Sequence, residues 1–183
     1  HNDGPGARNR CLVCRQPAIT DGDTWRQVMD DRKEMTLDGF YKEWNSALST
    51  VIVNTSGSTG KPKSIRVEKS RMIESAKMTC SFLGLTSDDS ALLCMPLRYI
   101  AGKMVVVRTI VSGMRLISIP PTSHPLKDLE DIPTFAAMVP MQVFNSLSVP
   151  EEADKLKRIK NLIIGGGPVN DLLYSKLQHF PNA

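Results

Sequence analysis

The sequence predicts an α/β domain with a largely parallel sheet and flanking helices. Through the second half of the chain, short apolar segments alternate with segments of helical length and spacing, which is typical of βαβ units. Glycine or proline stands at most of the boundaries between them, and both residues interrupt regular structure. The 183 residues are enough for one domain with a sizeable core.

The first half predicts a helix, a strand pair and a second helix. Apolar residues at helical spacing predict a helix over Leu37 to Leu48, and Val51 to Val53 predicts a buried strand. Ser64 to Glu68 predicts a returning strand. Ser70 is placed to cap a helix that Gly84 ends. The apolar face of that helix comprises Met72, Ile73, Ala76, Thr79, Cys80 and Leu83.

The second half predicts alternating strands and helices. Gly113 stands where a helix stop belongs, so Gly102 to Val111 predicts a helix despite its β-branched residues. Pro140 suits the first position of a helix that runs to about Leu147, and Asn170 caps a last helix that runs to about Gln178. The predicted strands are Ala91 to Met95, Arg115 to Ile119, Phe135 to Val139 and Asn161 to Ile164.

The composition argues against two classes of partner. The net charge is only +4 and aromatic residues make up 5%, too few for a platform that stacks bases. We therefore expect no nucleic acid partner; strongly salt-dependent binding to DNA or RNA would identify that alternative. No apolar run approaches the ~20 residues of a membrane span or resembles a signal peptide, so we expect a cytoplasmic protein without a membrane partner.

One loose basic cluster, expected on a solvated helix face, comprises Lys155, Lys157, Arg158 and Lys160.

The cysteines do not predict a metal site. Cys11 and Cys14 have the spacing of half a zinc site or of a redox pair, but a zinc site needs two more ligands, usually as a second close pair. Cys80 and Cys94 lie in apolar segments, and the three histidines are scattered. Reduced thiols of a cytoplasmic protein are the expectation.

A loop rich in small polar residues, Asn54 to Lys63 (NTSGSTGKPK), follows the predicted strand Val51 to Val53. Its glycines allow tight turns that present backbone N–H groups to an anion, and ligands bind at the carboxyl ends of strands in α/β sheets. The loop therefore predicts a polyphosphate site; the alternative is a solvated hairpin tip. Only two residues separate Gly57 from Gly60, and Pro62 follows Lys61, which excludes a Walker A loop.

Four segments together resemble one known family. The run from Thr55 to Lys63 resembles the signature loop of the adenylate-forming superfamily, which includes acyl-CoA synthetases, luciferases and peptide-synthetase adenylation domains. The segments Met95 to Gly102, Met138 to Pro140 and Asn161 to Pro168 are similar to further motifs of the same family. The resemblance implies that residues 37–183 are the N-terminal portion of an AMP-binding domain, preceded by a tail and lead-in segment over residues 1–36.

The resemblance implies an activity and a set of ligands. The family joins a carboxylate to AMP, releases pyrophosphate and passes the acyl group to a thiol, usually that of coenzyme A. ATP, Mg²⁺, CoA and a small carboxylic acid are therefore expected. Thr59 and Lys63 are the implied catalytic residues, which stabilise the departing pyrophosphate. The implied ATP-binding residues are Thr55, Ser56, Gly57, Ser58, Thr59, Gly60, Lys61, Lys63, Gly165, Gly166, Gly167 and Pro168.

Three further residues are candidates for contact with the acyl substrate. Tyr99 stands where the family often has a histidine beside the acyl pocket, or it packs at a strand end. Arg98 and Lys103 are candidates to meet a second carboxylate of an acidic substrate, or they are surface charges.

The family's later motifs are expected beyond Ala183. They include the Glu that binds magnesium, the Asp that binds ribose and a C-terminal catalytic Lys. The sequence is therefore expected to be an incomplete domain that does not catalyse the reaction by itself. The alternatives are a non-catalytic nucleotide-binding module and an acyl-CoA synthetase for another carboxylic acid.

Overall fold

A computed structural model describes residues 10–13, 35–55 and 63–178. The strands within these residues are β1 (Arg10–Val13), β2 (Thr50–Thr55), β3 (Lys63–Glu68), β4 (Ser90–Leu93), β5 (Arg115–Ser118), β6 (Phe135–Met138) and β7 (Asn161–Ile164). The helices are α1 (Leu37–Asn45), α2 (Lys69–Leu83), α3 (Ile100–Ser112), α4 (Pro140–Leu147), α5 (Pro150–Arg158) and α6 (Asp171–Gln178).

The main sheet is parallel, which confirms the predicted α/β class. Its strand order is β1-β7-β6-β4-β5, and every pairing within it is parallel. Strands β4 and β6 are buried along their whole length, as expected for parallel strands covered on both faces. Strand β1 was not predicted from the sequence, and it lies within residues 1–36, which were expected to be a tail and lead-in segment.

Strands β2 and β3 form a separate antiparallel hairpin. The predicted strand at Val51 to Val53 is confirmed, with Val51 and Val53 buried and Ile52 48% exposed. The predicted returning strand at Ser64 to Glu68 is confirmed as well, since it lies within β3, which pairs with β2. The polar loop therefore joins the two strands of a hairpin and does not follow a strand of the main sheet.

Local signals at the helix ends predict most helix boundaries. Gly84 and Gly113 end α2 and α3 with φ of 65° and 75°, a left-handed conformation that glycine adopts without a Cβ penalty. Asn170 caps α6 as predicted, since its Oδ1 accepts the N–H of Leu173 at 2.8 Å. The predicted cap at Ser70 is wrong, because α2 begins at Lys69 and Glu68 is its N-cap.

The core lies between the main sheet and its helices. It contains β4, β6 and the consecutive valines of α3, Val105 to Val107, all with no exposed area or almost none. Burial of these residues supplies the main favourable term in folding. None of the helices formed by the described residues is long and apolar enough to cross a membrane.

The basic cluster falls only partly on a solvated helix face. Lys157 and Arg158 are exposed at the end of α5, whereas Lys155 is half-buried. The ammonium of Lys155 donates to the carbonyl oxygens of Leu126 and Lys127 at 2.9 and 2.8 Å. Lys155 thus fastens α5 to the segment between β5 and β6.

Candidate active site

Three of the predicted motifs meet at the carboxyl edge of the main sheet. Because β7, β6 and β4 are parallel neighbours, the segments that follow them lie side by side. These segments begin at Gly165, Val139 and Cys94. From β4 the chain proceeds to β5, which is the neighbour of β4 on one side, and then returns to β6, which is the neighbour of β4 on the other side. A topological switch point therefore lies between β4 and β6. Such a point is where open α/β sheets bind ligands.

The glycine loop after β7 packs against the start of α4. The N–H of Gly165 donates to the carbonyl oxygen of Met138 at 3.1 Å. Gly166 has φ of 81° and is exposed, so the backbone there is uncovered and adopts a conformation that disfavours other residues. A Cβ on Gly167 would lie 3.5 Å from Cδ of Pro140. The loop is a tight strand-to-helix turn that leaves backbone accessible at the carboxyl edge.

The hairpin is docked onto the segment that follows β4. The N–H of Asn54 donates to the carbonyl oxygen of Arg98 at 3.0 Å, and Asn54 forms a parallel β-bridge with Tyr99. Thr55, the last residue of β2, pairs with Lys63, the first residue of β3, one position beyond this contact. The start of the polar loop is therefore held next to the carboxyl end of β4.

Most of the predicted phosphate-binding residues lie outside the described residues. They are Ser56, Gly57, Ser58, Thr59, Gly60 and Lys61. For Thr55 and Lys63 the structure gives the backbone pairing. Their assignment to ATP remains a prediction that rests on the loop's composition and on where its two ends are anchored.

Arg98 and Tyr99 are half-buried at the N-terminus of α3. Nη2 of Arg98 donates to Oη of Tyr99 at 2.7 Å, and its guanidinium carbon lies 4.8 Å from the centre of the Tyr99 ring. Tyr99 is the N-cap of α3 but makes no side-chain hydrogen bond to the helix. The pair thus places a cation and a hydroxyl beside the positive end of a helix.

Lys103 does not lie on the surface, so that alternative is wrong. Its side chain is fully buried, and its ammonium lies 2.6 Å from Oε2 of Glu43. The same nitrogen lies 3.0 Å from Sδ of Met35 and 4.8 Å from the centre of the Phe40 ring. Because the ammonium already contacts a carboxylate within the chain, the geometry does not favour Lys103 as a partner of the acyl substrate.

Gly102 allows α3 to approach the segment after β4. A Cβ on Gly102 would lie 2.5 Å from the carbonyl oxygen of Pro96, which is closer than Cβ atoms approach other heavy atoms, and 3.1 Å from that of Met95, which is a tight contact. The motif Met95 to Gly102 therefore contains a glycine for a packing reason, in addition to any role in binding.

Gln142 is a residue of the site that the sequence analysis missed. It is 1% exposed, and its Nε2 donates to the carbonyl oxygens of Cys94 and Thr122 at 3.0 and 2.8 Å. Its Oε1 accepts the N–H of Val139 at 3.1 Å. Gln142 thus joins the segments after β4, β5 and β6. Its sequence signal was a Gln at the third position of a helix, the place of a capping-box partner.

The cysteine thiols of the described core are poor nucleophiles. Burial raises the pKa of Cys94 to about 12 and also raises the pKa of Cys80, so both stay protonated near neutral pH. Both are free and buried. Cys14 lies outside the described residues, and the part of the chain that is described contains no cluster of three metal-ligating side chains.

Comparisons with known proteins agree on one family. A family profile described as AMP-binding enzyme matches residues 12–182. The chain is similar to 2-succinylbenzoate–CoA ligase of Enterococcus faecalis, with 33% identity over 121 residues, which is 64% of this chain and 25% of that relative.

Two solved structures share the fold. The acyl-CoA synthetase (AMP-forming)/AMP-acid ligase II-like protein of Dyadobacter fermentans matches with a TM-score of 0.71 and 30% identity, over 81% of this chain and 45% of that one. A double mutant of o-succinylbenzoate CoA synthetase (MenE) of Bacillus subtilis, bound with its product analogue OSB-NCoA, matches with a TM-score of 0.57 and 25% identity, over 69% of this chain and 26% of that one.

The match to the Enterococcus faecalis relative spans a quarter of that protein's length. The family profile, in contrast, covers nearly all of this chain, including the polar loop and the three motifs at the carboxyl edge. The chain therefore belongs to the AMP-binding enzyme family.

Proposed function

We propose that the protein to which this chain belongs is an ATP-dependent acid–CoA ligase, which forms an acyl-adenylate and then an acyl-CoA thioester. The observation that carries the proposal is the docking of the β2–β3 hairpin at the carbonyl oxygen of Arg98. That contact holds Asn54, the first residue of a loop with the composition of a polyphosphate site, next to the switch point of the sheet, where the other three motifs meet.

In the proposed first step, the substrate carboxylate attacks the α-phosphorus of ATP and pyrophosphate leaves. Negative charge grows on the bridging oxygen and on the departing pyrophosphate, so preorganised donors there lower the barrier. Thr59 and Lys63 are the proposed donors, together with the backbone N–H groups of the loop. Mg²⁺, held by ligands outside the described residues, would neutralise a further part of the phosphate charge.

The glycine loop after β7 is the proposed nucleotide contact on the other side of the site. Gly165, Gly166 and Gly167 leave the backbone open at the carboxyl edge, since Gly166 is exposed and has a positive φ. Pro168 follows and directs the chain away toward α6. A base or an acyl group can approach such a segment closely because no Cβ intervenes.

The proposed acid is 2-succinylbenzoate, a dicarboxylate, which would place the protein in menaquinone (vitamin K2) biosynthesis in the cytoplasm. The names of the Enterococcus faecalis and Bacillus subtilis proteins support this choice. So does the half-buried pair of Arg98 and Tyr99, which offers a cation and a hydroxyl group near the site. Arg98 would meet the carboxylate that does not react.

The experiment is acid-dependent exchange of labelled pyrophosphate into ATP by the complete protein. The proposal predicts exchange that requires 2-succinylbenzoate and Mg²⁺, followed by a thioester when CoA is added. Exchange with another acid but not with 2-succinylbenzoate would support the proposed ligase activity and show that the acid substrate is a different one. ATP binding without exchange for any acid in a panel would favour a non-catalytic nucleotide-binding module instead.

A further inference from the structure

The buried pair of Glu43 and Lys103 has no place in the reaction described above. Its ammonium and carboxylate lie 2.6 Å apart, with the lysine side chain fully buried and that of the glutamate 19% exposed. Removing such charges from water is costly, and an apolar pair of similar volume is often equally stable. A buried ion pair therefore calls for an explanation other than stability.

The second oxygen of Glu43 points to that explanation. Oε1 accepts the backbone N–H of Ile52, in the middle of β2, at 2.8 Å. Glu43 thus contacts two elements at once: α3, through Lys103 at Oε2, and the hairpin strand, through Ile52 at Oε1. The carboxylate acts as a bridge from a helix to a strand.

The N–H groups of Ile52 and Asn54 point to the same side of β2, because alternate residues of a strand share a direction. The first donates to Glu43 at 2.8 Å and the second to the carbonyl oxygen of Arg98 at 3.0 Å. Both contacts lead to the first turn of α3, since the N–H of Lys103 donates to the carbonyl oxygen of Tyr99 at 3.2 Å. Glu43 on α1 and the carbonyl oxygen of Arg98, just before α3, therefore hold the free edge of the hairpin at two positions beside the first turn of α3.

These two contacts lie immediately before the polar loop. Asn54 is one residue from Thr55, at which the paired part of β2 ends. A hairpin of two strands is marginally stable by itself, so its position relative to the main sheet depends on such outside contacts. A shift at Ile52 would move the loop as well.

We propose that Glu43 and Lys103 are positioning residues, which fix the hairpin and thereby set the affinity of the loop for the phosphate groups of ATP. Lys103 orients the carboxylate of Glu43, and the carboxylate holds β2. The part of the proposal that concerns ATP rests on the proposed function, whereas the part that concerns the hairpin rests on these contacts alone.

Hydrogen–deuterium exchange on the complete protein tests the hairpin. In Glu43→Ala, the amides of β2 should exchange about tenfold faster, because Ile52 loses its acceptor, while the amides of β6 and β7 keep their wild-type rates. Lys103→Met should give a similar but smaller change. The control is Lys77→Met, which removes an exposed pair of 2.8 Å on α2 and should change neither region.

A double variant keeps the test decisive if either single variant folds poorly. Glu43→Leu combined with Lys103→Met leaves no buried charge unpaired and removes the acceptor of Ile52, so it should fold, and its β2 amides should still exchange about tenfold faster than those of the wild type. Wild-type β2 exchange in Glu43→Ala, or faster exchange throughout the sheet with no excess in β2, would overturn the proposal.

Steady-state kinetics of the complete protein tests the effect on ATP. In pyrophosphate exchange, Glu43→Ala should raise KM for ATP about tenfold and leave KM for the acid unchanged. Equal increases in both constants would indicate a general structural role and would overturn the assignment to ATP. Absence of exchange in the wild type would refute the proposed function, while hydrogen exchange would still decide whether the pair positions the hairpin.

Discussion

The side-chain amide of Gln142 and the backbone carbonyl of Cys94 join the carboxyl ends of two neighbouring strands, with Nε2 and the carbonyl oxygen 3.0 Å apart. The same side chain contacts Thr122 and Val139. A single buried amide therefore fixes the relative positions of three segments around the switch point of the sheet.

Gln142→Leu should lower the free energy of unfolding by about 3 kcal/mol, because two carbonyl groups and one N–H group then lose their partner in a buried setting. Urea unfolding measures this change. The matched control is Asn145→Leu, which removes one longer bond of 3.3 Å to Ser123 and should change stability by less than about 1 kcal/mol. Equal effects of both substitutions would contradict the role given to Gln142.

Gly102→Ala should be strongly destabilising, because its Cβ would meet the carbonyl oxygen of Pro96 at 2.5 Å and backbone cannot move aside as a side chain can. We expect a loss of about 3 kcal/mol in unfolding free energy. Gly84→Ala is the comparison, since open space surrounds Gly84 and only its φ of 65° is unfavourable; it should lose about 1 kcal/mol. A loss at Gly102 no larger than at Gly84 would show that α3 does not pack so closely.

Stability should fall in alkaline solution because of Cys94. Burial raises the pKa of its thiol to about 12 from the ordinary 9.0, so between these values the unfolded chain loses a proton that the folded chain keeps. The unfolded state then binds fewer protons, and stability decreases as pH rises through this window. Between about pH 8 and pH 10, the wild type should lose about 1.4 kcal/mol more than Cys94→Ala. Parallel pH profiles of the two proteins in urea unfolding would refute this.

Arg98→Ala should impair 2-succinylbenzoate more than a monocarboxylic analogue. Losing one partner of a buried charged hydrogen bond is expected to lower kcat/KM for the diacid on the order of 10²-fold, whereas a charge at the rim has little effect. Arg115→Ala is the control, since Arg115 and its partner Asp131 are 60% and 69% exposed. Equal losses for both acids would exclude Arg98 as the contact of the second carboxylate.

The sequence predicted those parts of the fold that depend on local signals. Helix stops at Gly84 and Gly113, the start of α4 at Pro140 and the cap at Asn170 were all confirmed, because each depends on residues within one turn. Apolar segments bounded by such signals predicted the strands β4 to β7. The parallel class followed from their alternation with helices.

The remainder depends on contacts between distant parts of the chain. Strand β1 has only four residues and is defined by its pairing with β7, far along the sequence. Nothing near Lys103 indicates that its partner is Glu43, because the two residues lie on different helices. The docking of the β2–β3 hairpin at the carbonyl oxygen of Arg98 likewise follows from tertiary packing and not from composition.

The most direct test of the central claim is the rate of pyrophosphate exchange in Lys63→Ala and Thr59→Ala variants of the complete protein, with Lys77→Ala as the control for an exposed lysine on α2. Each of the first two substitutions removes a proposed donor to the departing pyrophosphate. The account predicts a loss on the order of 10²–10³ in rate for each, with the control at the wild-type rate. Wild-type exchange in both variants would show that the loop from Asn54 to Lys63 is a structural hairpin tip, and it would contradict the account.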